Sequence, residues 1–337
     1  MTLHIEDEIK TAWSALTGDK ESTGWLTVPV SATGTCKVMA ARRFPENVEA
    51  ILVGFELESS PDPKQLPKGK GFSVEVIYDV HLGSNYKWLG LVKLPTGSED
   101  IFLGMIGDIL DIVGRKGEVS QVSLFSVFLG RIRAWQDFMS RPNIELSSES
   151  EIGLFGELCM LEAILHSGVE ASSAVDAWEG PLNGLQDFRL GHGAVEVKTT
   201  TAAQGLSVKI FSIDQLDDSI ISPIFLSAVR LKVSSLGKTL PMMVKSIRIL
   251  LLSQPIALAD FDSRLLRAGY LDSHTDFYKR SFIINDIYNI IVDSSFPRLI
   301  KANVPSDITA IKYEINIDSV LSKGVSLDNM LNQLGVI

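Results

Sequence analysis

The apolar and polar positions of residues 1–94 follow a short helical pattern and then a strand pattern. A helical spacing over residues 2–16 sets Leu3, Ile9 and Trp13 on one side. Period-2 alternation rich in β-branched and aromatic residues then predicts about five strands. These strands are GWLTVPV (24–30), CKVMAARR (36–43), EAILVGFEL (49–57), FSVEVIYDV (72–80) and KWLGLVKL (87–94). The first part of the chain is therefore expected to be β-rich.

A helical period replaces the strand pattern from residue 99 onward. Two helices are predicted over 99–114 and 120–141. The polar segment NIELSSES (143–150) interrupts the pattern and indicates a domain junction. A third helix, over 149–167, is apolar nearly all round, which predicts a buried helix.

Short strands and turns follow this buried helix. Three strands are predicted, over 174–181, 185–190 and 194–200, with Gly, Asn and Pro turns between them. The rest of the chain predicts a short helix over 212–218, a strand over 222–233, helices over 241–253 and 255–270, and strands within 280–300 and 307–317.

The order of elements predicts an α/β (α+β) fold with four segments. These are a β-rich N-terminal domain (1–118), a helical connector (119–147), a core (148–255) and a C-terminal α+β extension packed on the core (256–337).

Composition and charge narrow the class of protein. The net charge of −10 argues against a broad basic surface for nucleic acid, so any such site must be local, metal-assisted or completed by a partner. No apolar run approaches the ~20 residues of a membrane-spanning helix, and MTLHIEDEIK lacks the apolar core of a signal peptide. Cys36 and Cys159 lie far apart in apolar surroundings, as expected of buried, reduced thiols. We therefore expect a cytoplasmic protein without a membrane partner.

The segment AVEVKTT (194–200) carries the candidate chemistry. On a strand, Glu196 and Lys198 point to one face while the valines between them point to the other. A turn centred on Gly191-His192 would set Asp187 opposite Glu196, since cross-strand partners share a face. An odd-numbered loop would put Asp187 on the other face unless a bulge restored it. An isolated E-x-K on a strand is more often an exposed ion pair of little consequence.

The predicted buried helix adds acidic residues to this group. Ser148 with Glu151 fits a capping box at its start. Glu157 lies between apolar neighbours and needs a partner or a metal, and Glu162 is its competitor one turn later. Carboxylates that converge with Asp187 and Glu196 would form a hard-oxygen site for Mg²⁺, for which Mn²⁺ is expected to substitute.

Several neighbouring residues have a functional and a structural interpretation. Gln215, at the start of the helix predicted over 212–218, is a candidate neighbour of the metal or a surface residue. Thr199 and Arg189 are candidates for phosphate contact, or an ordinary strand threonine and a paired arginine. His192 is expected to be a turn residue and Trp178 a core residue.

The string QDFRLGHGAVEVKTT (186–200) resembles the core motif of the PD-(D/E)XK, or restriction-endonuclease-like, nuclease superfamily. With GLFGELCMLE upstream and FPRL and AIKYEINI downstream, the chain resembles a prokaryotic family of PD-(D/E)XK motif proteins of unknown function. Gln186 stands where the motif has proline. The resemblance is clearest over 150–320.

The resemblance implies an αβββαβ core around a four-stranded mixed sheet. It implies Asp187, Glu196 and Lys198 as signature residues, Glu157 as the helix acid, a divalent metal as cofactor and DNA as substrate. Proteins of this kind tend to occur in restriction and phage-defence gene clusters, which implies other defence proteins as partners.

Together these features predict a Mg²⁺-dependent DNA endonuclease, or nuclease subunit, of a prokaryotic restriction or anti-phage system. The alternative from another class is a catalytically silent nuclease-fold subunit for assembly or DNA recognition. A housekeeping repair nuclease would share the chemistry and differ in substrate. A double-strand cut needs two sites, which a homodimer would supply.

Overall fold

The computed structural model describes residues 2–18, 23–30, 36–82, 85–115, 120–140 and 145–337. The chain divides into two compact units, residues 1–144 and 145–337, so the division lies inside the polar segment 143–150. The predicted boundary at 118/119 lies outside the described residues. The boundaries at 147/148 and 255/256 remain predictions.

Unit 1 (1–144) is built on an antiparallel sheet with helices. Its elements are α1 (Thr2–Ala15), β1 (Gly24–Pro29), β2 (Lys37–Phe44), β3 (Val48–Phe55), β4 (Lys68–Gly69), β5 (Phe72–Ile77), β6 (Lys87–Lys93), α2 (Glu99–Arg115) and α3 (Gln121–Met139). The strand order is β1-β2-β3-β6-β5-β4. The helix predicted over 2–16 and the five predicted strands are confirmed. The central strands β3 and β6 are buried on both faces of the sheet.

Unit 2 (145–337) combines a mixed sheet with helices. Its elements are α4 (Ser148–His166), α5 (Ala171–Ala177), β7 (Phe188–Leu190), β8 (Gly193–Thr200), β9 (Ser207–Ile210), β10 (Ile224–Thr239), α6 (Leu240–Leu250), α7 (Pro255–Ala268), β11 (Ser281–Ile291), β12 (Tyr313–Asn316), β13 (Gly324–Val325) and α8 (Leu327–Gln333). The sheet order is β13-β11-β10-β8-β7, with β8 and β10 parallel, while β9 and β12 form a separate antiparallel pair. The α+β class is confirmed.

The central strands of unit 2 separate two apolar clusters. Val195, Val197 and Phe225 belong to a cluster that includes residues of α4, α5, α6 and α7. Leu226 and Ala228 belong to a second cluster with residues of β9 and β12. Both clusters draw on β10, whose residues 224–229 are buried on both faces of the sheet.

Two predicted elements of unit 2 are wrong. Residues 174–181 are not a strand, because α5 occupies 171–177 and a 3₁₀ turn, Gly180–Leu182, follows. The Glu170 carboxylate accepts the backbone N–H of Ser172 and of Ser173, which caps α5. Residues 212–218 form turns, in which the N–H of Gln215 donates to the carbonyl of Ser212 and the N–H of Asp217 to that of Asp214.

Smaller differences concern the start of α4 and the cysteines. The N-cap of α4 is Ser147, which accepts the N–H of Ser150, and not the predicted Ser148. Glu151 instead accepts a hydrogen bond from Nε of Arg280 at 2.9 Å. Both cysteines are buried and free, as predicted. Within the part of the chain that the structure describes, no helix is long and apolar enough to cross a bilayer.

Candidate active site

The β7–β8 hairpin has the short two-residue turn that the site requires. Its ladder pairs Phe188 with Val195, Arg189 with Ala194 and Leu190 with Gly193. Gly191 adopts a positive φ of 57°, which suits glycine, and the exposed His192 donates its backbone N–H to the carbonyl of Leu334 at 3.1 Å. One residue further along this register, Asp187 lies opposite Glu196. The predicted even-numbered loop is therefore confirmed.

Asp187 is held on two sides by main-chain hydrogen bonds. Its Oδ2 accepts the N–H of Val197 at 2.7 Å, across the hairpin. Its carbonyl oxygen accepts the N–H groups of Glu179 and Gly180, at 2.8 and 3.0 Å, from the turn after α5. The carboxylate is therefore fixed beside β8 although Asp187 precedes the first residue of β7.

Glu196 and Lys198 form a buried pair, not an exposed one. The Glu196 side chain is 1% exposed and that of Lys198 is 14% exposed. Nζ of Lys198 lies 2.6 Å from Oε1 of Glu196, and Nε2 of Gln215 donates to the same oxygen at 2.9 Å. Oε2 of Glu196 is buried without a hydrogen-bond partner. The surface ion-pair interpretation is therefore wrong.

Glu157, on α4, lies close to Asp187. Its Oε2 accepts the indole N–H of Trp178 at 2.7 Å. A Cβ built on Gly180 would lie 2.7 Å from Oε2 of Glu157 and 3.1 Å from Oδ1 of Asp187. The two carboxylates thus border one small space, which a side chain at position 180 would fill.

Glu162 does not belong to this group. Nζ of Lys238 lies 3.0 Å from its Oε1, and Oγ of Ser246 donates to that oxygen at 2.5 Å. The structure thus pairs Glu162 with residues of β10 and α6 and brings Glu157, of the two competitors, to Asp187.

The electrostatics of the cluster reflect burial of like charges. Burial, followed by the neighbouring charge of Asp187, raises the pKa of Glu157 and that of Glu196 to about 8 each. Burial also raises the pKa of Asp187, and Lys198 opposes that rise. For Lys198 burial favours the neutral amine, but Glu196, Asp187 and Glu157 outweigh it and raise the pKa. Burial of these like charges therefore favours the protonated carboxyl groups at neutral pH.

The donor atoms fit a hard divalent cation in their chemistry. Carboxylate oxygens are what Mg²⁺ and Mn²⁺ prefer, and Oε2 of Glu196 is buried with no partner. Among the described residues, no three His, Cys, Asp or Glu side chains are grouped closely enough to hold a metal ion. The positive charge beside Glu196 is the Lys198 ammonium, which contacts Oε1 of Glu196.

The secondary candidates lie at different distances from the cluster. Gln215 lies in a turn and not at the start of a helix, yet it bonds directly to Glu196, and its Oε1 accepts the N–H of Phe211 at 2.8 Å. Thr199 points toward α4, where its Oγ1 is buried without a partner. Arg189 is exposed on β7.

Two residues important to this geometry were not predicted. Trp178 is fully buried, as expected, but its indole N–H also positions Glu157. Gln186, at the motif's proline position, is buried and donates Nε2 to the carbonyl of Gln215 at 3.1 Å. Neither contact has a local sequence signal, because each joins residues more than twenty positions apart.

Comparison with known proteins identifies a family. The model of a family described as "Putative PD-(D/E)XK family member, (DUF4420)" matches residues 9–318. No curated protein and no solved structure matches the chain.

Proposed function

This chain belongs to that PD-(D/E)XK family, and on that premise we propose that it is a Mg²⁺-dependent DNA endonuclease, or nuclease subunit. The observation that carries the proposal is that Asp187 lies opposite Glu196 in the hairpin, with Glu157 beside Asp187 and Lys198 in contact with Glu196. Such a group of buried titratable side chains is typical of a functional site. We place the protein in the prokaryotic cytoplasm, within a restriction or anti-phage system.

The proposed catalytic unit is the core of residues 148–255, with β11 of the C-terminal extension as the last strand of its αβββαβ order. α4, β7, β8, β10, α6 and β11 would supply its elements in that order. Residues 256–337 would extend the core, and residues 1–118, joined through 119–147, would recognise DNA or a protein partner.

The proposed roles follow from the chemistry of each side chain. Asp187 and Glu196 would hold Mg²⁺, with Mn²⁺ as a substitute, and Glu157 would complete the acidic set. A divalent cation at such a site lowers the pKa of a bound water and stabilises charge on a phosphoryl group. Lys198 would orient the attacking water and neutralise the phosphate.

Three further residues would support this unit. Gln215 would hold the Glu196 carboxylate in place, as its hydrogen bond indicates. Arg189, exposed beside the hairpin, would contact a phosphate. Thr199 would act indirectly, since its side chain faces α4 and not Lys198.

A cleavage assay tests this proposal. Plasmid, linear and modified DNA are incubated with the wild type and with Asp187→Ala and Lys198→Ala, with Mg²⁺ or Mn²⁺ and with EDTA. We expect metal-dependent cleavage by the wild type and its loss in both variants, with unchanged circular dichroism. Asp176→Ala is the matched control, because Asp176 is 70% exposed and pairs with Arg264. Undiminished cutting by Asp187→Ala would sink the proposed site.

A non-cleaving subunit that uses the fold for assembly or DNA recognition is the second candidate. The Lys198 contact on Glu196 and the net charge of −10 favour it. Calorimetry separates the two functions: heat of Mn²⁺ binding that disappears in Asp187→Ala supports the nuclease, and no heat in either protein supports the silent subunit.

The defence role, the partners and the homodimer need tests of their own. Cells that carry the gene with its neighbours should reduce phage plaques, and the Asp187→Ala allele should not. Equal plaque counts for the two alleles would show that defence does not need Asp187, as expected of the silent subunit or of a repair function. Light scattering of the purified chain measures whether two sites are present in one particle.

A further inference from the structure

Phe211 leaves a large apolar ring on the surface beside the acidic cluster. The residue follows β9 directly, and 56% of it is exposed. Nζ of Lys198 lies 5.5 Å from the ring centroid, while the same ammonium contacts Glu196 at 2.6 Å. The ring therefore borders the place where the proposed phosphodiester chemistry occurs.

A second lysine flanks the same ring. β9 pairs with β12 so that Ile210 lies opposite Tyr313, and the next residue pair along this register is Phe211 and Lys312. Nζ of the exposed Lys312 lies 5.9 Å from the ring centroid. An aromatic ring with ammonium groups nearby suits a nucleic acid strand, because bases stack on rings and phosphates bind cations.

The main chain of Phe211 is tied to the cluster through one side chain. Its N–H donates to Oε1 of Gln215, whose Nε2 donates to Glu196. The position of the ring is thus coupled to the position of the carboxylate. Because the link uses only the backbone of Phe211, a change of its side chain leaves the link in place.

We infer that Phe211 is a stacking platform for a nucleobase of the substrate, and that the bound strand is unpaired at this point. The inference rests on the proposed function and adds a substrate class: single-stranded or locally opened DNA. A base in a duplex is covered on both faces, so it reaches a protein ring only after it leaves the stack.

The distances agree with a strand that spans both groups. Nζ of Lys198 lies 5.5 Å from the ring centroid, so a base stacked on the ring lies close to a phosphate at this ammonium. The exposed Lys312, with Nζ 5.9 Å from the ring centroid, binds a neighbouring phosphate without regard to sequence.

Binding measured without cleavage tests the inference. Fluorescence anisotropy in EDTA compares a labelled single-stranded oligonucleotide with its blunt duplex. The wild type should prefer the single strand, and Phe211→Ala should weaken that binding by roughly 5- to 150-fold, the range for loss of one base–aromatic stack. Phe211→Trp, which keeps a ring, should bind the single strand as well as the wild type does. Duplex binding should change little in either variant.

Two variants serve as controls. Phe277→Ala removes a ring of similar exposure, 59%, which contacts His274, and should leave single-strand binding unchanged. Lys312→Ala should weaken binding and reduce the slope of log affinity against log salt by about 0.7, as expected for one lost phosphate contact on a single strand.

Three outcomes would overturn the inference. They are no single-strand binding by the wild type, binding by Phe211→Ala as tight as the wild type, and an equal loss in Phe277→Ala. The binding assay tests this inference independently of the cleavage assay, because EDTA removes the metal that cleavage needs. If Asp187→Ala abolishes cleavage while Phe211→Ala binds normally, only the stacking platform is wrong.

Discussion

At the scale of single residues, the hydrogen bond from Trp178 to Glu157 should contribute to stability. Trp178→Phe removes the indole N–H and leaves Oε2 of Glu157 without its donor. We expect a loss of about 1–3 kcal/mol in the free energy of unfolding, measured by urea denaturation in EDTA. The double variant with Glu157→Ala should lose less than the sum of the single losses. Strict additivity would show that the bond contributes nothing.

The raised pKa values of Glu157 and Glu196 predict a pH dependence of the metal-free protein. Between the ordinary carboxylate pKa and about 8, the folded chain holds protons that the unfolded chain has released. Folding stability from these groups is therefore present at pH 5 and is lost as pH rises to 8. We expect the melting temperature in EDTA to fall over this interval.

Substitution isolates this contribution from other titrating groups. Glu196→Gln cannot ionise, so its melting temperature should fall less between pH 5 and pH 8 than that of the wild type. Glu170→Gln is the control, because the pKa of Glu170 is lowered by backbone hydrogen bonds at the N-cap of α5. Identical pH profiles for the wild type and Glu196→Gln would contradict a buried, protonated cluster.

At the scale of elements, a glycine sets how closely α4 approaches β8. A Cβ on Gly156 would lie 1.8 Å from Oγ1 of Thr199, so Gly156→Ala must push the helix away from the strand. We expect a loss of about 1–3 kcal/mol in unfolding free energy and weaker Mn²⁺ binding, because Glu157 is the next residue. Urea denaturation and calorimetry measure the two effects.

Gly153, one turn earlier on the same helix, is the matched control. Nothing lies within 4 Å of a Cβ built there, so Gly153→Ala should stabilise the protein by about 0.5–1 kcal/mol through helix propensity. Adding Thr199→Ala to Gly156→Ala removes the clashing hydroxyl and should recover part of the loss. Equal effects at positions 153 and 156 would show that the helix does not pack closely here.

The hairpin was predictable because its information is local. Alternation along β8 and glycines on either side of His192 fix a two-residue turn, and the turn fixes Asp187 opposite Glu196. The segment 174–181 was wrongly predicted as a strand, because a helix followed by a turn has a composition similar to that of a short strand. Residues 212–218 were wrongly predicted as a helix, because their polar side chains accept hydrogen bonds from the backbone inside turns.

The hydrogen-bond partners of Glu157 and Glu196 could not be predicted, for a different reason. That Trp178, and not another donor, would hold Glu157 depends on how α4 and α5 pack, which no short pattern encodes. The same holds for Gln215, which was expected near the metal or on the surface of a helix that does not form, and whose contact with Glu196 was not predicted. Residue types at the site followed from the motif, whereas the contacts that fix them required the packed structure.

At the scale of the whole molecule, every proposed metal ligand lies in unit 2. That unit has its own apolar clusters on both faces of the sheet. We expect a fragment of residues 145–337 to unfold cooperatively and to bind Mn²⁺ with the affinity of the full chain, measured by calorimetry. A fragment that folds but binds no Mn²⁺ would show that unit 1 contributes to the cation site.

The hydrogen bond between His192 and Leu334 joins residues that are synthesised far apart in time. The hairpin that aligns Asp187 with Glu196 leaves the ribosome long before the carbonyl that braces its turn has been made. At about 5–20 residues per second, the intervening stretch takes roughly seven to thirty seconds to translate. A nascent chain therefore carries Asp187 and Glu196, through that interval, without the hydrogen bond that braces the turn of their hairpin. The proposed site therefore gains this contact only after residues 193–334 have been synthesised.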